Sequence, residues 1–187
     1  MIERPSRAQL EAARGAGVPD VLAPGLTVLF SGINPSLYSA AVGHHFARPG
    51  NRFWRALHGA GFTERLLSPF EDHLLLERGL GCTNLVGRAT ARADELDAED
   101  LRAGAASLRE RVEVCRPAWL AMLGVAAYRA AFDAPAARTG RQTEGIGATR
   151  VWLLPNPSGL NAHYQLPQLV DEFRALKDAV SRTSSAA

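Results

Sequence analysis

The chain is almost without lysine: Lys177 stands alone, and the other twenty basic residues are arginines. A GC-rich genome, whose codons favour arginine, accounts for such a bias. Arginine's planar fork also suits phosphate contacts, so nucleic-acid binding is permitted. It is not demanded, because the net charge is only +2 and no basic tail or dense patch is present. Cysteine is equally scarce. Cys82 and Cys115 are too few for an iron–sulfur cluster or a four-cysteine zinc site and lack C-x-x-C spacing. Cys82 reads as a small buried residue beside a strand rather than a nucleophile. The five histidines (His44, His45, His58, His73, His163) follow no metal-binding spacing, so neither a metal nor a cofactor is expected. No apolar run approaches the roughly 20 residues of a membrane span. The N-terminal stretch lacks the apolar core of a secretory signal. A cytoplasmic protein is expected, working as a monomer away from membranes.

What is present is an ordinary globular composition, 47% hydrophobic and 21% charged over 187 residues. That length suits one domain, placed at residues 21–182, with an N-terminal extension at 1–20 and a disordered tail at 183–187. Short apolar runs alternate with helical patterns. Strands are expected at 26–32 (LTVLFSG), 79–86 (GLGCTNLV), 117–124 (PAWLAMLG) and 148–155 (ATRVWLLP). Helices are expected near 6–16, at 51–61 capped by Asn51, at 69–78, at 96–116 with Asp97 as N-cap, from Val125, and at 165–182. The last carries an apolar stripe of Leu166, Leu169, Val170, Phe173, Leu176 and Val180. Nearly continuous apolar strands separated by helices imply a three-layer α/β/α fold around a short, mainly parallel sheet of four to five strands. In such folds ligands bind beyond the carboxyl ends of the strands.

Two of those ends carry the same triplet: GINPS at 32–36 and NPSG at 156–159. Both loops should therefore emerge on one edge of the sheet. Gly32 permits a tight exit, and Pro35 holds Asn34 extended, so its amide points in one direction. Such an amide can position a water molecule; it can equally make an Asx turn. Ser36 and Ser158 sit in no nucleophile elbow, and G-x-G-x-x-G does not follow the first strand. Between the loops runs GHHFARPGNRFW (43–54), where Phe46 is either a platform for stacking a base or a plug in the core.

The ordered set GINPS, GHHFARPGNRFW and NPSGLNAH resembles the mismatch-specific uracil-DNA glycosylases and thymine-DNA glycosylases, from about Leu22 to Ala179. The resemblance implies that Asn34 holds the water attacking C1′ of a flipped nucleotide. It places Gly32, Ile33, Phe46, Asn84 and Asn156 around the extruded base, with Phe46 stacking on it. Gly159 and Leu160 are then the wedge that fills the vacated space, with Ser158 beside them on the DNA and Asn161 at the opposite base. Arg48 and His163, basic side chains next to these motifs, are expected to contact the duplex. Arg52 either holds a phosphate or forms the solvated side of its helix. The general uracil-DNA glycosylases carry an acid in the first loop and a histidine in the second, where this chain has Asn34 and Asn156. Asp94 departs from the family pattern: it is either a solvated acid before a helix or a second catalytic group that activates the water. The implied partner is double-stranded DNA with a mispaired or damaged pyrimidine, uracil first, thymine or ethenocytosine next. With Lys177 far from both loops, no Schiff-base strand cleavage is expected. The rival is a protein of the same fold that binds mismatched or abasic DNA without turnover.

Overall fold

The computed structural model describes residues 4–184. Five strands form one sheet in the order β2-β1-β3-β5-β4: β1 Val28–Gly32, β2 Leu80–Asn84, β3 Trp119–Leu123, β4 Gly140–Arg141 and β5 Arg150–Leu154. β1, β2, β3 and β5 run parallel, and β4 adds an antiparallel edge. The three central layers are as expected from the sequence. β4 was not expected, since two residues carry no periodicity to read.

Alternate residues of each strand feed two cores. Val28, Phe30, Trp119, Ala121 and Leu123 face α3 (Phe53–Gly59) and α6 (Leu166–Ser184). Leu29, Leu120, Met122, Val151 and Leu153 face α4 (Ala98–Cys115) and α5 (Val125–Ala131). Truncating one of these fully buried side chains, such as Leu29, to alanine costs about 2–5 kcal/mol. The stripe on α6 is a core face: Leu169, Phe173 and Leu176 are fully buried.

Several boundaries differ from expectation. The first helix, α1, covers only Arg7–Ala12, closed by a Ser6–Gln9 capping box. A short α2, Leu37–Val42, follows the first loop with Ser36 as its N-cap. α3 starts at Phe53 rather than Asn51, whose Oδ1 accepts the Phe53 N–H at 2.9 Å. Residues Pro69–Arg78 form a 3₁₀ segment. α4 begins at the expected cap, Asp97. The expected tail starts too early at 183, because α6 runs to Ser184; residues 185–187 lie outside the described ones.

The extension packs against the domain. Gly15 N–H donates to Ala89 O at 2.9 Å and Ala89 N–H to Ala16 O at 2.8 Å, while Val21 pairs with Cys82 of β2. Among the described residues, no helix is long and apolar enough to cross a membrane.

Candidate active site

The carboxyl ends of β1, β2, β3 and β5 open onto one cavity of about 790 Å³. Register decides who meets there. Gly32 pairs with Asn84 as the last residues of β1 and β2, and Leu123 pairs with Leu154 before the second loop. The cavity is lined by Gly32, Ile33, Asn34, Phe46, Arg48, Asn84, Asp94, Asn156, Ser158, Leu160, Asn161 and His163. Gly159 alone of the expected set does not line it. It instead lies against the main chain of Gly50, whose carbonyl a Cβ at 159 would meet at 2.8 Å.

The Asn34 side chain makes no turn within its own loop. Its Nδ2 donates to Arg88 O at 3.0 Å and to Thr90 Oγ1 at 2.7 Å. A carbonyl only accepts, so Arg88 settles which end of the amide is nitrogen. The Thr90 hydroxyl passes its own proton to Arg92 O at 2.7 Å. Both amide protons are thereby committed, and Oδ1 is left without a partner among the described residues. Arg88 is anchored in turn by a bidentate pair with Asp100, Nη2–Oδ2 2.5 Å and Nε–Oδ1 3.1 Å, in the first turn of α4. The Arg88 guanidinium, and then the Asp97 main chain, hold the Asp100 carboxyl below its usual range.

Phe46 occupies the left-handed region at φ 55, which costs a non-glycine residue about 1–2 kcal/mol. Bonds on either side hold it there. Trp54 Nε1 donates to His45 O at 3.3 Å, and Ala47 N–H to Ser39 Oγ at 3.1 Å. The ring stacks on Phe53 with centroids 4.0 Å apart while also lining the cavity. The ring thus packs against the core at Phe53, and the same residue belongs to the cavity lining. A Cβ at Gly32 would come within 2.5 Å of Asn84 Oδ1 and 3.2 Å of the Phe46 ring. Glycine is needed here for close approach rather than for a turn.

The second loop is built differently. Asn156 Oδ1 accepts the Ser158 N–H at 2.9 Å, an Asx turn, and Asn156 O accepts from Asn161 Nδ2 at 2.9 Å. Asn161 Oδ1 accepts the His163 N–H at 3.1 Å, so both ends of that side chain serve the loop. Arg52 is neither a phosphate contact nor solvated: it is 8% exposed. Its guanidinium donates to Pro157 O at 3.3 Å, to Asn161 O at 3.0 Å, and to Ser158 O and Tyr164 O. Four loop carbonyls thus stand in for a carboxylate. Leu160 projects from the tip, 65% exposed.

Of the neighbouring acids Asp94 and Glu95, Glu95 accepts from Arg14 Nη1 and from the Arg92 N–H, each at 2.8 Å, and lies off the cavity. Asp94 lines the rim and is paired with Arg92, Nη2–Oδ2 2.6 Å. It is the one acid on the lining, which also carries Arg48, Arg92, Arg129 and Arg138. Thr90, Arg88 and His45 were not expected at the site, and Arg52 was expected as a phosphate contact or a solvated helix residue rather than as a strut under the loop. Only the arginine bias hinted at Arg88, because it acts through partners distant in sequence. Among the described residues no cluster of His, Cys, Asp and Glu could hold a metal ion.

Comparison with known proteins places this geometry in context. The sequence model of the Uracil DNA glycosylase superfamily matches residues 19–180. The fold is similar to the solution NMR structure of a "putative Uracil DNA glycosylase" from Methanosarcina acetivorans. The two share 19% identity and a TM-score of 0.52, over 87% of this chain and 98% of that one. At that identity the likeness concerns the fold.

Proposed function

The chain belongs to the uracil-DNA glycosylase superfamily, and from that premise we propose that it is a monofunctional glycosylase excising uracil from mispairs in double-stranded DNA. The observation that carries this reading is the committed amide of Asn34. With both its protons held by Arg88 O and Thr90 Oγ1, Oδ1 can accept from a water and aim its oxygen into the cavity. Fixing one reactant in this way removes much of the entropic barrier to attack.

Flipping a nucleotide out of the duplex costs a few kcal/mol, least at a mispair. Leu160, exposed at the tip of a loop stiffened by Arg52, fills the space left behind. The base stacks on Phe46 and meets Asn84 along its edge. As the glycosidic bond breaks, its electron pair leaves with uracil as the anion, and positive charge develops on the sugar. The water held by Asn34 adds its oxygen to C1′ and gives up a proton. Asp94 is the carboxylate on the lining that can take that proton after leaving Arg92. Uracil and an abasic sugar result. The four lining arginines suit a polyanion, with Arg48 and His163 on the DNA side. The sole lysine, Lys177 on α6, lies against Gly61, away from the cavity lining. This supports release of an uncut abasic strand. Asparagine in both loops, where general uracil-DNA glycosylases have an acid and a histidine, favours the mismatch-specific branch.

The test is single-turnover base release from G:U, A:U, G:T and single-stranded uracil oligonucleotides, with Asn34→Ala and Asp94→Ala beside the wild type. Release is expected fastest from G:U, with intact backbone. Absence of release from every substrate leaves a binding protein. Retention of activity in Asn34→Ala but not Asp94→Ala moves the catalytic role to the carboxylate.

A further inference from the structure

His45 was not expected at the site, yet it lies beneath the cavity floor, 1% exposed. Its main chain is clamped on both sides: the N–H donates to Asp72 Oδ2 at 3.2 Å, and the carbonyl accepts from Trp54 Nε1 at 3.3 Å. The ring therefore has little freedom. Nε2 lies 3.0 Å from Pro19 O, and Nδ1 lies 3.4 Å from Asn84 Nδ2. Pro19 O can only accept, so Nε2 must carry a proton. In a neutral ring Nδ1 is then a lone pair, and the side of Asn84 facing it must be the amide nitrogen. Burial, the largest influence, makes His45 less basic. The Pro19 carbonyl and the charges of Asp20 and Asp72 oppose this, and His44 adds to it. The sum is a ring held neutral around pH 7.

The consequence falls on the base pocket. With Nδ2 turned to His45, the Asn84 oxygen lies toward Gly32, under the edge of Phe46. An acceptor in that place pairs with a ring N–H. Uracil and thymine carry a proton on N3; cytosine has a lone pair there. We infer that His45 is a specificity-positioning residue, which through Pro19 O and Asn84 Nδ2 locks the Asn84 amide to accept from N3–H and so admits uracil or thymine against cytosine. The inference rests on the base-excision reading. It also gives the N-terminal extension a part in substrate choice, since Pro19 supplies the contact that sets the tautomer.

Affinity for duplexes bearing 2′-fluoroarabino-deoxyuridine or -deoxycytidine opposite a tetrahydrofuran abasic residue tests this, because neither base then has a pairing partner to leave. The wild type is expected to prefer the uracil probe. His45→Leu should lower the uracil-to-cytosine affinity ratio about tenfold, the effect of one net hydrogen bond. His45→Asn, which restores an acceptor near Nδ1, should stay within about threefold of the wild type. An unchanged ratio in folded His45→Leu overturns the relay while leaving base excision standing. Wild-type binding to neither probe sinks both readings. Should the leucine variant not fold, ¹⁵N NMR of the wild-type ring decides: the Nε2–H tautomer at pH 7 supports the relay, and an Nδ1–H tautomer or imidazolium overturns it.

Discussion

Two loops share the letters Asn-Pro-Ser at the ends of β1 and β5, and they use the same asparagine in opposite ways. Asn156 spends its oxygen on its own backbone, accepting from Ser158 N–H, as an ordinary turn residue does. Asn34 spends its nitrogen on a segment more than fifty residues away, at Arg88 O and Thr90 Oγ1, and keeps its oxygen for the cavity. An identical triplet is therefore no guide to role. What matters is which end of the amide the surroundings consume, and that is a property of the neighbours.

The largest test of this contrast is truncation of each amide. Asn34→Ala should reduce the single-turnover excision rate about 10²–10³-fold, the usual effect of removing one preorganised polar group at a reacting centre. Asn156→Ala, with the loss of a turn, should reduce it far less. Equal losses would dissolve the distinction. Next is the strut under the second loop. Arg52→Met removes the guanidinium from four loop carbonyls, of which Pro157 O and Ser158 O keep the main-chain N–H groups of Arg52 and Asn161, at a combined cost of roughly 2–4 kcal/mol. This should lower the melting temperature by roughly 5–12 °C, with duplex substrates losing more rate than single-stranded ones. A variant that melts like the wild type would mean the loop holds itself. The smallest and sharpest test is a matched swap to aspartate. Asn156→Asp keeps the acceptor that Ser158 N–H needs and should stay within about 0.5 kcal/mol of wild-type stability. Asn34→Asp sets a carboxylate against the Arg88 carbonyl and should cost about 1–3 kcal/mol by denaturant unfolding. Reversal of that order would show that the amide is turned the other way.

Much of this was legible from the chain alone. The parallel sheet, the two cores and the stripe on α6 follow from continuous apolar runs and a 3.6-residue period. Burial on both faces of a strand, or on one face of a helix, leaves a local signature. The placing of Asn34 and Asn156 on one edge follows from strand ends in a parallel sheet, while Phe46 and Asn84 were placed beside them by the family resemblance. The two-residue β4 and the six-residue α2 escaped because elements that short have no period to detect.

The partners of the site residues were beyond reach for a different reason. Arg52 reads as a helix-surface cation until four carbonyls from 157–164 close around it. His45 reads as a loop histidine until Pro19 and Asn84 take its two nitrogens. Arg88, exposed and polar, gives no sign that its carbonyl orients an amide at the end of β1. By itself, then, the sequence determined the long elements and brought the two Asn-Pro-Ser loops to one edge of the sheet. Only the tertiary structure decided which atoms of those side chains remain available. Hydrogen-bond commitment depends on distances between segments far apart in the chain, and no local pattern of residues records them.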